Sequence, residues 1–128
     1  MELSVAAPLR YLAVILVFDE HPAGSAELPV LRCTGDEDIA TQGRRHRHLT
    51  RAARAARACN GLVVDLSELV FADVSFMVDL ALLARRLRLR GADMWIRGAQ
   101  PYIRRLIEVV GVDKLPSVSI EGPATATA

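Results

Sequence analysis

Residues Gly61 to Met77 read GLVVDLSELVFADVSFM. Leu62 to Leu66 is a nearly continuous apolar run, the pattern of a strand covered on both faces. The run passes into a short turn that ends in Asp73-Val74-Ser75. Beyond it Phe76, Leu80, Leu83 and Leu87 recur at helical spacing, with Met77, Ala81 and Ala84 flanking them. A helix is therefore expected from Ser75 to Arg90, with Gly91 as the residue just past its end. An acidic, hydroxyl-bearing loop then sits at a helix N-terminus, where backbone N–H groups lack partners and the dipole favours negative charge. Such a loop can hold an anion, accept a phosphoryl group or cap the helix through Asp73 or Ser75, and residue chemistry leaves all three open.

Working outward, Met94 to Arg97 predicts a short strand. Pro101 suits a first helical turn, Tyr102 to Val110 reads as a helix stopped by Gly111, and Val118 to Ile120 reads as a final strand. Upstream, Leu9 to Phe18 and Leu28 to Thr34 are strands that can pair antiparallel, separated by a loop containing Pro22 and Gly24. Gly35-Asp36-Glu37-Asp38 ends the second strand, and Asp38 caps a helix from about Ile39 to Cys59 that stops at Asn60-Gly61. Repeated strand–helix–strand units imply right-handed crossovers and an α/β fold with a mainly parallel sheet. Residues 1–8 read as a flexible N-terminus, 9–121 as one domain and 122–128 as a disordered tail.

A chain of 128 residues is long enough for one core, and 52% hydrophobic with 24% charged residues is an ordinary globular composition. A net charge of +1 provides no bulk attraction to nucleic acid or to a membrane surface. The apolar run Tyr11 to Phe18 is too short to span a bilayer and lacks signal-peptide flanks, so a cytoplasmic protein is expected. Cys33 and Cys59 have no metal-ligand spacing and read as reduced thiols.

Little points to catalysis. His21, His46 and His48 have no nucleophile motif around them, and no glycine-rich phosphate loop is present. Asp65, Asp73 and Asp79 are the residues from which a metal cluster could be assembled, but Asp65 suits a strand end and Asp79 a solvent-facing helix position. No metal or cofactor is expected. The helix over 44–57 carries six arginines and two histidines. At 100° per residue Arg44, Arg47, Arg51 and Arg54 fall within about 80° of one another, opposite Leu49, Ala52, Ala53 and Ala56. This face is either a solvated helix surface or an anion-binding one. No aromatic residues interleave with the arginines, which argues against single-stranded nucleic acid as a ligand.

Taken in order, these pieces resemble the STAS domain of bacterial anti-sigma factor antagonists, from about Leu28 to Val118. LRCTGDEDIAT (31–41) is similar to the family's strand followed by Gly-Glu-Leu-Asp and a helix. LVVDLSELVFADVSFM (62–77) is similar to its strand and Asp-Ser-Ser-Gly phosphorylation loop. RGADMWIRGAQPYIRRLIEVVGVDKLPSV (90–118) is similar to its closing strand, helix and Leu-Phe-Pro-Val-like end. The resemblance implies a small mixed, mainly parallel sheet with helices packed largely on one face. It also implies a non-enzymatic binding module that takes part in partner switching: the unphosphorylated antagonist binds an anti-sigma factor, often also a kinase, and phosphorylation of the loop blocks binding.

The loop departs from that pattern. The usual phosphoacceptor directly follows the aspartate, and here that residue is Val74. Ser75 matches the second serine and is the remaining candidate for phosphorylation, while Phe76 replaces the glycine. Asp73 and Asp38 match the two loop aspartates, and Asp36 stands where a glutamate is usual. The resemblance thus implies a partner surface of Asp38, Asp73, Val74, Ser75 and Met77, without the usual switch, and the same apolar surface would suit a homodimer. Two alternatives stay open: a STAS subunit of a lipid-transport ABC complex, and an anion-binding module using the basic helix 44–57.

Overall fold

A computed structural model describes residues 14–20, 27–37, 40 and 42–121. The expectations for 1–8, for the first residues of the opening strand, for Asp38 and for 122–128 lie outside the described residues. Five strands form one sheet in sequence order: β1 (Val14–Glu20), β2 (Glu27–Glu37), β3 (Gly61–Ala72), β4 (Asp93–Arg97) and β5 (Val118–Glu121). β1 is antiparallel to β2, and every later pairing is parallel. The crossovers are α1 (Gln42–Cys59), α2 (Val74–Arg88) and α3 (Pro101–Val110), followed by a short 3₁₀ turn (Val112–Lys114). The α/β class and the mixed, mainly parallel sheet are as the sequence predicts.

β1 ends two residues later than expected, at Glu20, and β2 and β3 extend further still. β2 continues through Gly35-Asp36-Glu37, and β3 continues through the segment read as a turn, as far as Ala72. The cause lies in the β2–β3 register. Arg32 pairs with Asp65 but Thr34 with Glu68, and Gly35 pairs with Leu69 but Asp36 with Phe71. At each step β3 gains one residue on its partner, as a β-bulge does. The core-facing residues of β3 are accordingly Leu62, Val64, Leu66, Leu69 and Ala72. Their spacing of two, two, three and three loses the alternation that marks a strand.

Among the described residues the helices lie on one face of this sheet. Leu49, Ala52 and Ala56 of α1, Phe76, Leu80, Leu83 and Leu87 of α2, and Ile103 and Ile107 of α3 share one core with the inward residues of β2, β3 and β4. On the other face Leu28, Val30 and Val63 form a smaller buried cluster beside Trp95. The turns follow their residues. Asn60 and Gly111 end α1 and α3 in the left-handed region (φ 64° and 93°), and Pro101 opens α3. α2 starts one residue earlier than expected and ends two earlier, at Arg88 with Leu89 as its cap residue, and Gly91 takes φ 77° beyond it.

Candidate functional site

The bulges in β3 carry the chain past the edge of the core and deliver Asp73 as the N-cap of α2. Its extended backbone (φ −115°) lets Oδ1 accept hydrogen bonds from the Ser75 N–H at 2.9 Å and the Phe76 N–H at 3.3 Å. The Ser75 hydroxyl donates to the same oxygen at 2.6 Å. Capping is therefore realised by Asp73, and Ser75 is drawn back toward the cap. Val74, the first helical residue, points away from it and is 56% exposed.

Beneath the cap lies a buried ion pair that links α1 to α2. Arg45 is 1% exposed. Its Nε and Nη2 reach Asp79 Oδ2 at 2.9 Å and 2.8 Å, and Nη2 also donates to Ser75 Oγ at 3.2 Å. The guanidinium lies over the Phe76 ring, 5.5 Å from its centre. Gln42 Nε2 donates to Asp79 Oδ2 at 3.4 Å, and His46 Nε2 is 3.3 Å from Oδ1. Asp79 is thus buried, not solvent-facing as expected: Arg45 supplies the charge that permits a carboxylate inside a helix interface. The signal was available. On the α1 wheel Arg45 falls within about 20° of the centre of the arc made by Leu49, Ala52 and Ala56.

The surface around the helix start is apolar. Val70 and Phe71 are exposed at the end of β3, and Val78 and Leu82 follow Val74 along the outer face of α2. Tyr102 of α3 adjoins this end of β3, its hydroxyl 3.4 Å from the backbone of Ala72. Met77, expected on the contact surface, is instead fully buried in the core, because it lies on the inward side of the helix with Phe76 and Leu80. The structure brings Asp73, Val74 and Ser75 together. Asp38 lies outside the described residues.

Asp65, expected at a strand end, is an interior residue of β3. Its Oδ1 accepts from the Ser67 N–H at 2.9 Å and the Ser67 hydroxyl at 2.7 Å, and Oδ2 from Arg97 Nη2 at 3.2 Å. Arg32 stands at 3.6 Å. Burial alone would raise the carboxyl's pKa, but the Ser67 hydrogen bonds and the Arg97 guanidinium outweigh it and hold the group below its ordinary value. The arginines of α1 divide in two. Arg47, Arg51 and Arg54 are exposed and Arg44 half-buried, whereas Arg45 is interior. His48 lies among the outer ones, and partial burial, then Arg51, Arg44 and Arg47, push its pKa down. No helix among the described residues is long and apolar enough to cross a membrane. No group of three or more histidine, cysteine or acidic side chains among the described residues is placed to hold a metal ion.

The fold is similar to that of the anti-sigma factor antagonist SpoIIAA in its unphosphorylated form (TM-score 0.61, 15% identity, 88% of this chain and 92% of that one). The phosphorylated form of the Bacillus cell fate determinant SpoIIAA is similar at TM-score 0.54 and 14% identity, covering 88% and 96% of the two chains. SLC26A9 is similar at TM-score 0.67 and 10% identity over 91% of this chain, which spans only 24% of that much longer protein. At such identities the likeness establishes the fold alone. No curated protein matches the sequence. The family model described as "Mlab, STAS domain" matches residues 21–119. With a match that long in a chain of 128 residues, this protein belongs to the STAS domain family.

Proposed function

We propose that the chain, a single STAS domain over residues 9–121, is a non-enzymatic regulator that acts in the cytoplasm by binding an anti-sigma factor, in the manner of an antagonist. The observation that carries this reading is the start of α2, where exposed Val74 stands beside a fully engaged Asp73–Ser75 cap and an apolar rim of Val70, Phe71 and Val78. An apolar side chain in the centre of a polar-capped surface is the composition of a protein contact. Support comes from the antagonists of the same fold. Asp73, Val74 and Ser75 line the contact. Val74 cannot accept phosphate, and Ser75 holds its hydroxyl inward, so binding is constitutive.

A second reading is favoured by the family description, which names Mlab: a STAS subunit held on the ATPase of a lipid-transport complex. One experiment separates the two. The tagged chain and its Val74→Asp variant are used to capture proteins from the source organism, and the retained proteins are identified by mass spectrometry. An anti-sigma factor retained by the parent chain and lost by the variant is the expected result. A transporter ATPase in its place selects the second reading. Equal retention by both chains refutes the placement of the contact at Val74.

A further inference from the structure

α1 and α2 run side by side in the same direction, His46 near Asp79 at one end and Arg57 near Arg90 at the other, and a groove lies between them. Its upper part has a volume of about 580 Å³, with Leu49 and Leu83 as its floor and Leu82 and Leu89 on its rim. Its lower part is a recess of about 110 Å³ framed by Arg54, Arg57, Arg86 and Arg90. Thr50 and Arg86 line both parts, so the two are continuous. On α1 eleven residues separate the two ends, which at 1.5 Å per residue is about 16 Å, or three helical turns; on the other side the groove runs from Asp79 to Arg90, two residues past the end of α2.

None of these four arginines forms an ion pair with a carboxylate among the described residues. Cations near helix C-termini are ordinary complements of the helix dipole. The dipole accounts for basic residues in the last turns. It does not account for four arginines converging on the open end of an apolar groove.

We propose that this groove docks an acidic amphipathic helix of a partner protein. A helix of three to four turns with apolar residues at i, i+3, i+4 and i+7 matches the length of the groove and its leucine lining. Glutamates or aspartates beside that stripe meet the arginine recess. The lining favours this occupant over others. No aromatic side chain lines the groove to stack a base. Leu82 and Leu89, 53% and 75% exposed, leave the groove open along its length, as a helix seat is and an acyl-chain pocket is not. A second copy of this chain offers no acidic helix among its described elements, since α1 is basic outside, α2 ends in Arg85, Arg86 and Arg88, and α3 sets Arg104 and Arg105 against a single Glu108. The site does not use Val74 and stands whether or not the antagonist reading holds.

The test is a displayed library of helical peptides of four turns, selected against the full chain, with the enriched peptides titrated into ¹⁵N-labelled protein. Acidic amphipathic sequences should be enriched and should shift the resonances of Thr50, Ala53 and Leu82. Arg54→Glu with Arg86→Glu, both exposed positions, should weaken their binding at least tenfold with an unchanged circular dichroism spectrum, and Leu82→Glu should do the same. Val74→Asp should leave the affinity unaltered. Raised salt should weaken the binding. Enrichment of neutral or basic peptides, or shifts centred on Val74, overturns the proposal. So does sedimentation with phosphatidylglycerol vesicles that the double arginine variant abolishes while no acidic helix is enriched, which assigns the groove to a lipid.

Discussion

Replacing Arg45 by alanine tests whether the link between α1 and α2 is an interior ion pair or a surface ornament. The two side chains are 0% and 5% exposed and meet at 2.8 Å. Among the described residues, removing the guanidinium leaves the buried Asp79 carboxylate with only Gln42 and His46, at 3.4 Å and 3.3 Å. It also takes the donor from Ser75 Oγ and the cation from the Phe76 ring. Breaking a buried pair on one side costs about 3–5 kcal/mol, against about 0–1 kcal/mol for an exposed pair. With a urea slope of about 2 kcal/mol per molar, a loss of about 4 kcal/mol lowers the unfolding midpoint by about 2 M. Urea unfolding followed by circular dichroism reads this directly. Asp79→Asn should cost a similar amount, because it strands the arginine. Arg45→Met with Asp79→Leu should lie within about 2 kcal/mol of the parent, since apolar residues of similar size fill the site without a lone charge. A loss below about 1 kcal/mol for Arg45→Ala, or strict additivity of Arg45→Ala and Asp79→Ala, refutes the assignment.

Asp73→Ala removes the side-chain acceptor of two backbone N–H groups and should lower the stability by about 1 kcal/mol in the same urea assay. Two glycines should respond oppositely to alanine. Gly43→Ala adds a Cβ with nothing within 4 Å inside α1 and should stabilise by about 0.5 kcal/mol, whereas Gly98→Ala forces φ 76° on a side chain whose Cβ meets Ser67 Cβ at 2.9 Å and should cost more than about 1 kcal/mol. Val74→Ser restores a hydroxyl at the exposed first position of α2. If the partner is a serine kinase, phosphate should appear on this variant and not on the parent chain by mass spectrometry, and phosphate on Ser75 of the parent would refute constitutive binding.

How much of the fold the residues reveal by themselves depends on how local each signal is. β4, α3 and their ends follow from Gly91, Pro101 and Gly111, residues whose backbone preferences act within a turn or two. The far half of β3 was not legible, because its strand character comes from pairing with β2 through two bulges that break the period-two pattern. Charge misled in another way. Asp79 read as solvent-facing on general grounds, as most aspartates are, and Arg45 drew no separate reading among the six arginines of its helix, yet each becomes interior only because the other is there. Met77 belongs to the same class of error: its place is set by which side of α2 meets α1 and the sheet.

The geometry of the α2 start gives its first three residues separate tasks. An N-cap carboxylate must turn back over the helix to reach the free N–H groups, and Asp73 does so. The residue two places on can fold its hydroxyl onto that carboxylate, and Ser75 does so at 2.6 Å while Arg45 donates to it from below. A phosphate on Ser75 would have to displace the Asp73 contact and bring its charge beside two carboxylates, Asp73 and Asp79, with one guanidinium between them. Only the residue in between is free of these ties, and it projects outward. The place where a hydroxyl would be both reachable and decisive for a partner is therefore position 74. A valine there leaves an exposed apolar side chain with no hydroxyl to modify.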